Sequence, residues 1–485
     1  MKRFAPTFVL ILFLFPPDRL PAYDRRAWMS YPNMNHVTSL AEGDGEIYVG
    51  TTGGIRRYDR FGERWLPPLT TLDGLPDNRV QRLFFDPDTG DLWFTTPAGT
   101  GRWMSRLEVL SLAGLPPDGL NRARPSADIP PVFAPFGYYL QNGRILGPHQ
   151  NYDITDVLID SWRILWVGTW GLGVGRADLR NEQLHFHPFG PLDGNVTAIA
   201  RDDDAIWFGG EDSFQARAQG ITRYRPASGA WEYFDPDRTV GLEDAQVSAI
   251  LPDTADVWFG TPSGIARYNR VNGRWVTYLS SRLRLGRVTA LARDGHRLWV
   301  GAEDGLAVLD LPVDELRRVE GSERVFVFDL HTGREFVWAA TDHGLFRCAH
   351  QRPTWVAVGG ADGLTANAIL GVSTFGGNVW AAAETPPALV HLAPSDSTWR
   401  RFPLPELSGN RRVAIAADGA RVWVGTAQGA SRLNVARELW ARYTQSDGLL
   451  HDRVQAVLLD GESVWFGTAG GVSQFHWQMD FFERD

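Results

Sequence analysis

One eight-residue stretch, Val464-Trp465-Phe466-Gly467-Thr468-Ala469-Gly470-Gly471, returns in altered form along the whole chain. Aligned on its aromatic residue, ten copies centre on Tyr48, Trp93, Trp166, Trp207, Trp258, Trp299, Trp338, Trp380, Trp423 and Trp465. Consecutive copies stand 45, 73, 41, 51, 41, 39, 42, 43 and 42 residues apart. Seven of these nine spacings lie between 39 and 45, the length of a four-stranded propeller blade. A unit of this kind cannot bury its apolar face alone and must stack on a copy of itself.

The copy from Val413 to Tyr443 shows the pattern most plainly. Val413-Ala414-Ile415-Ala416 reads as a short apolar strand, and Asp418-Gly419 as a hairpin turn. Val422-Trp423-Val424-Gly425 reads as a second strand buried on both faces. Gly429 ends the next turn, Ser431-Arg432-Leu433 is a third strand, and Trp440-Ala441-Arg442-Tyr443 alternates as a fourth. The repeated aromatic covers the gap between stacked blades. Burying one such ring removes about 150–250 Å² from water, or roughly 4–6 kcal/mol at about 25 cal/mol per Å². The 20 tryptophans are therefore read as core and not as a binding signature.

The expected fold is all-β, a β-propeller of about ten four-stranded blades. Trp28-Met29-Ser30-Tyr31 matches the fourth-strand pattern, while the last copy stops at its third strand, Val472-Ser473-Gln474-Phe475. The N-terminal strand is thus expected to close the last blade and leave no open seam. Even spacing from Trp258 onward favours a single ring over two five-bladed rings or a nested pair. The 73-residue gap before Trp166 is read as an irregular insertion, about 105–137, carried by one blade, with an eleventh, degenerate blade as the alternative. Within that gap, Tyr138 to Leu146 reads as a hairpin turning at Asn142-Gly143.

The motif Trp-Val/Phe-Gly-Thr-x-x-Gly, preceded by an Asp-Gly turn and followed by Arg-Tyr/Leu, resembles the two-component regulator propeller repeat. Leu165-Trp166-Val167-Gly168-Thr169 and Val257-Trp258-Phe259-Gly260-Thr261 are close copies, and the resemblance spans about residues 28 to 475. It implies a propeller of the kind used as the extracytoplasmic sensor half of bacterial hybrid histidine kinases. Related propellers also serve as stand-alone exported proteins and in secretion machinery. No immunoglobulin-like module, later membrane span or kinase follows these repeats, so the expectation is a stand-alone propeller.

Lys2-Arg3 followed by the apolar run Phe8 to Phe15 reads as a secretory signal over residues 1–22, with repeats filling 23–485. The run is too short for an ordinary membrane span. A periplasmic or extracellular bacterial location is expected, with no transmembrane span in the mature chain. A net charge of -9 argues against nucleic acid as a partner. Lys2 is the sole lysine among 48 basic residues, which excludes Schiff-base and phosphate-loop lysines from a processed chain. The single cysteine, Cys348, forbids an intramolecular disulfide and reads as a small buried residue.

No zincin, nucleophile-elbow, Cys-x-x-Cys or Walker pattern is present. Gly171-Leu172-Gly173-Val174-Gly175 has the wrong spacing for a dinucleotide fingerprint and falls on a blade turn. Asp202-Asp203-Asp204 sits where a first hairpin turn belongs and reads as turn chemistry. No catalytic residue, cofactor or metal is assigned. Loops before first strands and between second and third strands gather on one face of a propeller. The ligand-binding candidates there are Arg79, Trp170, Gln246, Arg287, His343, Arg412 and Arg453. Arginines at a mouth suit carboxylate or sulfate, unless they pair with neighbouring acidic turns. The expected function is an exported binding or scaffold module for a glycan, peptide or envelope protein, in sensing or envelope assembly. A separate sensor kinase or secretion component is a further expected partner. The alternative is a propeller-fold polysaccharide lyase or hydrolase, for which His343 with Asp342, or His36 with a neighbouring arginine, would be the acid-base candidates.

Overall fold

The computed structural model describes residues 27–479, apart from 113–128, 135–136, 148–150, 212–217, 280, 282–283, 351–353, 360–363, 365–367 and 395–397. The expected signal segment lies outside these residues, as does most of the expected insertion. Among the described residues ten antiparallel sheets follow one another, nine of four strands and one of six. They are called blades 1 to 10 and cover residues 37–69, 82–111, 139–187, 196–234, 249–279, 288–318, 327–358, 369–403, 414–443 and 454–476. The fourth strand of blade 10 is Trp28–Tyr31, paired antiparallel with Gly471–His476, so the N-terminal strand does close the last blade. Trp28 lies buried there, stacked on Phe475 with ring centroids 4.4 Å apart.

The all-β class and the count of ten blades agree with the sequence. The grouping of the blades does not. Blades 4 to 10 form a complete ring of seven, their first strands side by side and blade 10 packed against blade 4. Each of the seven joints has its own apolar cluster. At the closing joint Tyr31, Trp465 and Val472 meet Val196, Ile206 and Phe208. Blades 1 to 3 stand outside as an arc in the order 3-1-2, with clusters between 3 and 1 and between 1 and 2. This replaces both the single ring of ten and its two-ring alternative. The physical reason is that a repeat period counts blades without saying which sheet covers which aromatic. Seven wedges complete a turn, and closure removes the open seam.

In every blade except blade 2, which ends the arc, the core aromatic faces the next blade in stacking order. Trp207 meets blade 5, Trp423 meets blade 10, Trp465 returns to blade 4, and Trp166 of blade 3 meets blade 1. The first strands carry a second signature of that order. Asp329 of blade 7 accepts the amides of Leu330 at 2.9 Å and of Val372, on blade 8, at 3.1 Å. Asp156 of blade 3 does the same with Val157 at 2.9 Å and with Leu40, on blade 1, at 2.7 Å. Hydroxyls add a further link, as Thr38, Thr197 and Thr289 donate to Val80, Val247 and Val327 carbonyls on the following blades.

Two motif residues gain a physical role. The threonine hydroxyl donates to the carbonyl of the glycine three positions on, as in Thr426 to Gly429 at 3.0 Å and Thr468 to Gly471 at 2.8 Å. Those glycines hold φ of 127° and 125°, which a side chain would strain. The turn aspartate can hold the core indole. Asp202 Oδ2 accepts from Trp207 Nε1 at 2.8 Å, and Asp160 Oδ2 from Trp166 Nε1 at 3.1 Å.

Within the expected insertion, Val109–Ser111 is the fourth strand of blade 2. The hairpin Tyr139–Gln141 with Arg144–Leu146 is present, and it extends blade 3 along its first strand as a six-stranded sheet. Ile129 and Val132 pack with that hairpin over the face of blade 3 turned away from blade 1. Cys348 is buried and free. Among the described residues no helix is long and apolar enough to cross a membrane.

Candidate functional site between ring and arc

The arc is inserted between the closing strand, which ends at Tyr31, and blade 4, which begins at Val196. Two short segments, 32–36 and 188–195, therefore run side by side from ring to arc. Met34 N donates to Phe189 O at 3.1 Å, and Asn33 Nδ2 donates to Leu192 O. Asn35 is fully buried and organises the crossing. Its amide donates to Asn33 Oδ1 and its own Oδ1 accepts from Phe189 N, both at 2.9 Å. Its carbonyl accepts from Gly171 N and Gly173 N, each at 2.9 Å. The glycine-rich turn of blade 3 thus wraps around Asn35. Gly173 needs to be glycine, since φ is 77° and a Cβ would lie 2.7 Å from His187 O.

That turn sets Trp170. The indole is 45% exposed, yet it does not float free. Trp170 N donates to Asp153 O at 2.9 Å, and the ring meets His36 edge-on with centroids 4.9 Å apart. Burial pushes the His36 imidazole below its usual range, so it packs as a neutral ring. Beside the crossing, the buried guanidinium of Arg56 lies 3.7 Å over Trp65 and 5.1 Å from Phe189, and donates to His187 O. Burial lowers its pKa, and the two aromatic faces supply the compensation that a carboxylate would normally give. His187 is pushed down to about 4, by burial first and then by Arg56 and Arg176.

Between the two units opens a cleft of about 330 Å³. The arc contributes His36, Asn78, Arg79 and Trp170, and the ring contributes Asp193, Asn195, Glu211 and Leu450. Asp193 is buried, with Oδ1 accepting from Gln219 N at 2.7 Å. Arg79 is exposed at the rim, held by its amide to Asp77 Oδ1 at 2.8 Å. One exposed indole on a rigid turn, ringed by amides, carboxylates and a guanidinium, suits a ligand with a flat apolar face and many hydroxyls or amides.

The seven residues singled out in the sequence divide between two places. Arg79 and Trp170 line the cleft. Gln246, Arg287, His343, Arg412 and Arg453 belong to blades 5, 6, 7, 9 and 10 and surround the ring. Arg287 is paired with Glu211 at 3.4 Å and Glu303 at 3.8 Å, the arrangement expected of a structural arginine. His343 Nδ1 lies 2.8 Å from Asp342 Oδ1 on an exposed turn. Gln246 is half-buried and Arg453 exposed. Among the described residues no three His, Cys, Asp or Glu side chains group to hold a metal ion. Sequence reasoning missed Asn33, Asn35 and Asp193. Their only signal is position, in segments that join one repeat to the next.

The fold is similar to that of the extracellular domain of a putative hybrid two component system from B. thetaiotaomicron, at 18% identity over 91% of this chain, with a TM-score of 0.50. The chain spans 62% of the length of that domain. It is also similar to the extracellular domain of a putative one component system from the same organism, at 14% identity over 93% of this chain and 71% of that one, with a TM-score of 0.49. A virginiamycin B lyase from Staphylococcus aureus matches 59% of this chain and 95% of its own at 14% identity, with a TM-score of 0.48. No protein-family model and no curated protein matches the chain. At such identities the likeness is one of fold, and that fold is consistent with the two-component regulator propeller repeat read from the motif.

Proposed function

We propose that the protein is an exported, non-catalytic binding propeller that takes a glycan in the cleft between ring and arc, in a sensing role outside the cytoplasm. The observation that carries this reading is Trp170, an indole held rigid by Asn35 and His36 while its outer face stays open. A sugar ring has a face of C–H groups that stacks on indole and a rim of hydroxyls that pairs with planar amides and carboxylates. Asn78, Asn195, Asp193 and Arg79 supply that rim. Among the described residues the titratable groups of the cleft are divided between its walls, His36 and Arg79 on the arc and Asp193 and Glu211 on the ring, a spread that favours binding over the lyase or hydrolase alternative.

The test is a glycan array followed by calorimetry on the full chain. Wild type binds at least one oligosaccharide, and Trp170→Ala weakens it tenfold or more, equivalent to about 1.4 kcal/mol. Stability should fall by roughly 1–3 kcal/mol, since the indole is about half covered, and a thermal melt shows that the variant remains folded. Undiminished binding by Trp170→Ala would remove the cleft from consideration.

A further inference from the structure

The ring encloses a second cavity, of about 460 Å³, along its axis. First strands from all seven ring blades line it, mostly with small or apolar residues such as Ala198, Ala249, Ala290 and Leu291. The polar groups on its wall are hydroxyls, Gln455, Asp329, His331 and Arg412, and the last is unusual. Arg412 leaves blade 9, crosses the mouth and donates Nη1 to the carbonyl of Ser248 on blade 5, at 3.0 Å. Arg287, which precedes the first strand of blade 6 as Arg412 precedes that of blade 9, is neutralised by Glu211 and Glu303. Arg412 forms no ion pair among the described residues. A cation in a low-dielectric channel is normally paired.

Asp329 faces the same channel without an ion-pair contact to Arg412. Both of its oxygens are taken by the amides of Leu330 and Val372. Burial pushes its carboxyl up, and the Arg412 guanidinium is the foremost of the groups acting against that. The group is a strut between blades, as Asp156 is in the arc.

His331, two residues along the same strand, has a fixed tautomer. Its Nδ1 lies 2.9 Å from Thr374 Oγ1, and that hydroxyl gives its own proton to Thr332 O at 2.8 Å. Nδ1 must therefore carry the hydrogen and donate, which leaves Nε2 as an acceptor. Burial keeps the imidazole neutral.

The channel thus offers a forked cation that no carboxylate contacts and a neutral acceptor, set in largely apolar walls. A guanidinium matches a carboxylate in two parallel hydrogen bonds, and an imidazole lone pair matches a hydroxyl. We infer that the axial channel is a binding site for a small hydroxy-carboxylate, held through Arg412 and His331 and separate from the cleft that contains Trp170.

Calorimetry on the full chain tests this with glycerate, propanoate, glycerol and inorganic phosphate as probes. Glycerate binds best, propanoate roughly tenfold more weakly, and glycerol not measurably. Arg412→Gln abolishes glycerate binding, and Arg412→Lys, which keeps the charge but loses the fork, weakens it at least tenfold. Trp170→Ala leaves glycerate binding unchanged, so failure here and failure at the cleft are separable. The inference is overturned if glycerate gives no signal with wild type, if Arg412→Gln and Arg412→Lys bind it as wild type does, or if phosphate binds as tightly, which would mark a site for any anion. Thermal melts of both arginine variants, expected near wild type, show that a lost signal is not lost folding.

Discussion

Two core tryptophans in equivalent blade positions should respond differently to the same substitution. Trp207 is fully buried, and its Nε1 donates to Asp202 Oδ2 at 2.8 Å. The Asp202 side chain is 1% exposed, and Arg270 lies 3.5 Å away. Trp423 is equally buried, between Tyr443 and Phe466 at centroid distances of 5.4 and 5.5 Å, but its Nε1 has no hydrogen-bond partner. Trp→Phe at either site removes a similar slice of apolar volume, at about 1–2 kcal/mol given that full truncation to Ala costs about 3–5. At Trp207 the change also removes a donor from a buried carboxylate, adding about 1.5–3 kcal/mol. At Trp423 it removes a buried N–H that was never satisfied, which offsets part of the packing loss. Trp207→Phe should therefore be the more destabilising by roughly 2–4 kcal/mol. Urea denaturation with equal m-values measures the difference from the two midpoints. Equal losses, or a larger loss at Trp423, would refute the claim that the turn aspartate holds the indole.

Three further outcomes follow from the geometry. Asn35→Ala strips an acceptor from Phe189 N and should cost about 1–3 kcal/mol, with cleft binding weakened in the same variant; calorimetry and melts on one preparation check both. His187 has a folded pKa of about 4, below the free value of 6.5, so the unfolded chain binds more protons between those limits. Its contribution is complete above pH 6.5, falls as pH drops toward 4, and amounts to roughly 3 kcal/mol; His187→Gln should flatten a stability curve measured across that window. Gly471→Ala places a Cβ 2.8 Å from both Pro32 Cα and Tyr31 O at a φ of 125°, and should cost about 3 kcal/mol or more, read as a lowered melting temperature.

The blade was legible because its chemistry is local. Trp423, Gly425, Thr426 and Gly429 specify a strand, a turn and a strand within eight residues, and the structure holds each as read. The closing strand was legible for the same reason, since Trp28 to Tyr31 repeats a fourth-strand pattern and the first complete repeat begins only afterwards, at Val37. Ring membership was not legible. Trp166 needs a sheet to cover it, and blade 1 satisfies that need as well as blade 4 would. The choice is made by Asp156 reaching Leu40 across more than a hundred positions, a contact that no period encodes. The candidate site was half legible for a related reason. Trp170 and Arg79 occupy the expected loop positions, but their neighbours come from segments that join repeats, where composition carries no pattern.

The strand Trp28–Tyr31 leaves the ribosome early, and the strand it pairs with, Gly471–His476, leaves last. Until then Trp28 and Tyr31 lack the aromatic partners they end up against, Phe475 and Trp465 among them. A chain stopped short of Gly471 therefore carries an adhesive ribbon at one end and an unmatched sheet edge at the other. Completion is all or nothing for the circle of seven, and any product that stops before Gly471 should be recovered as aggregate, not as a smaller working protein.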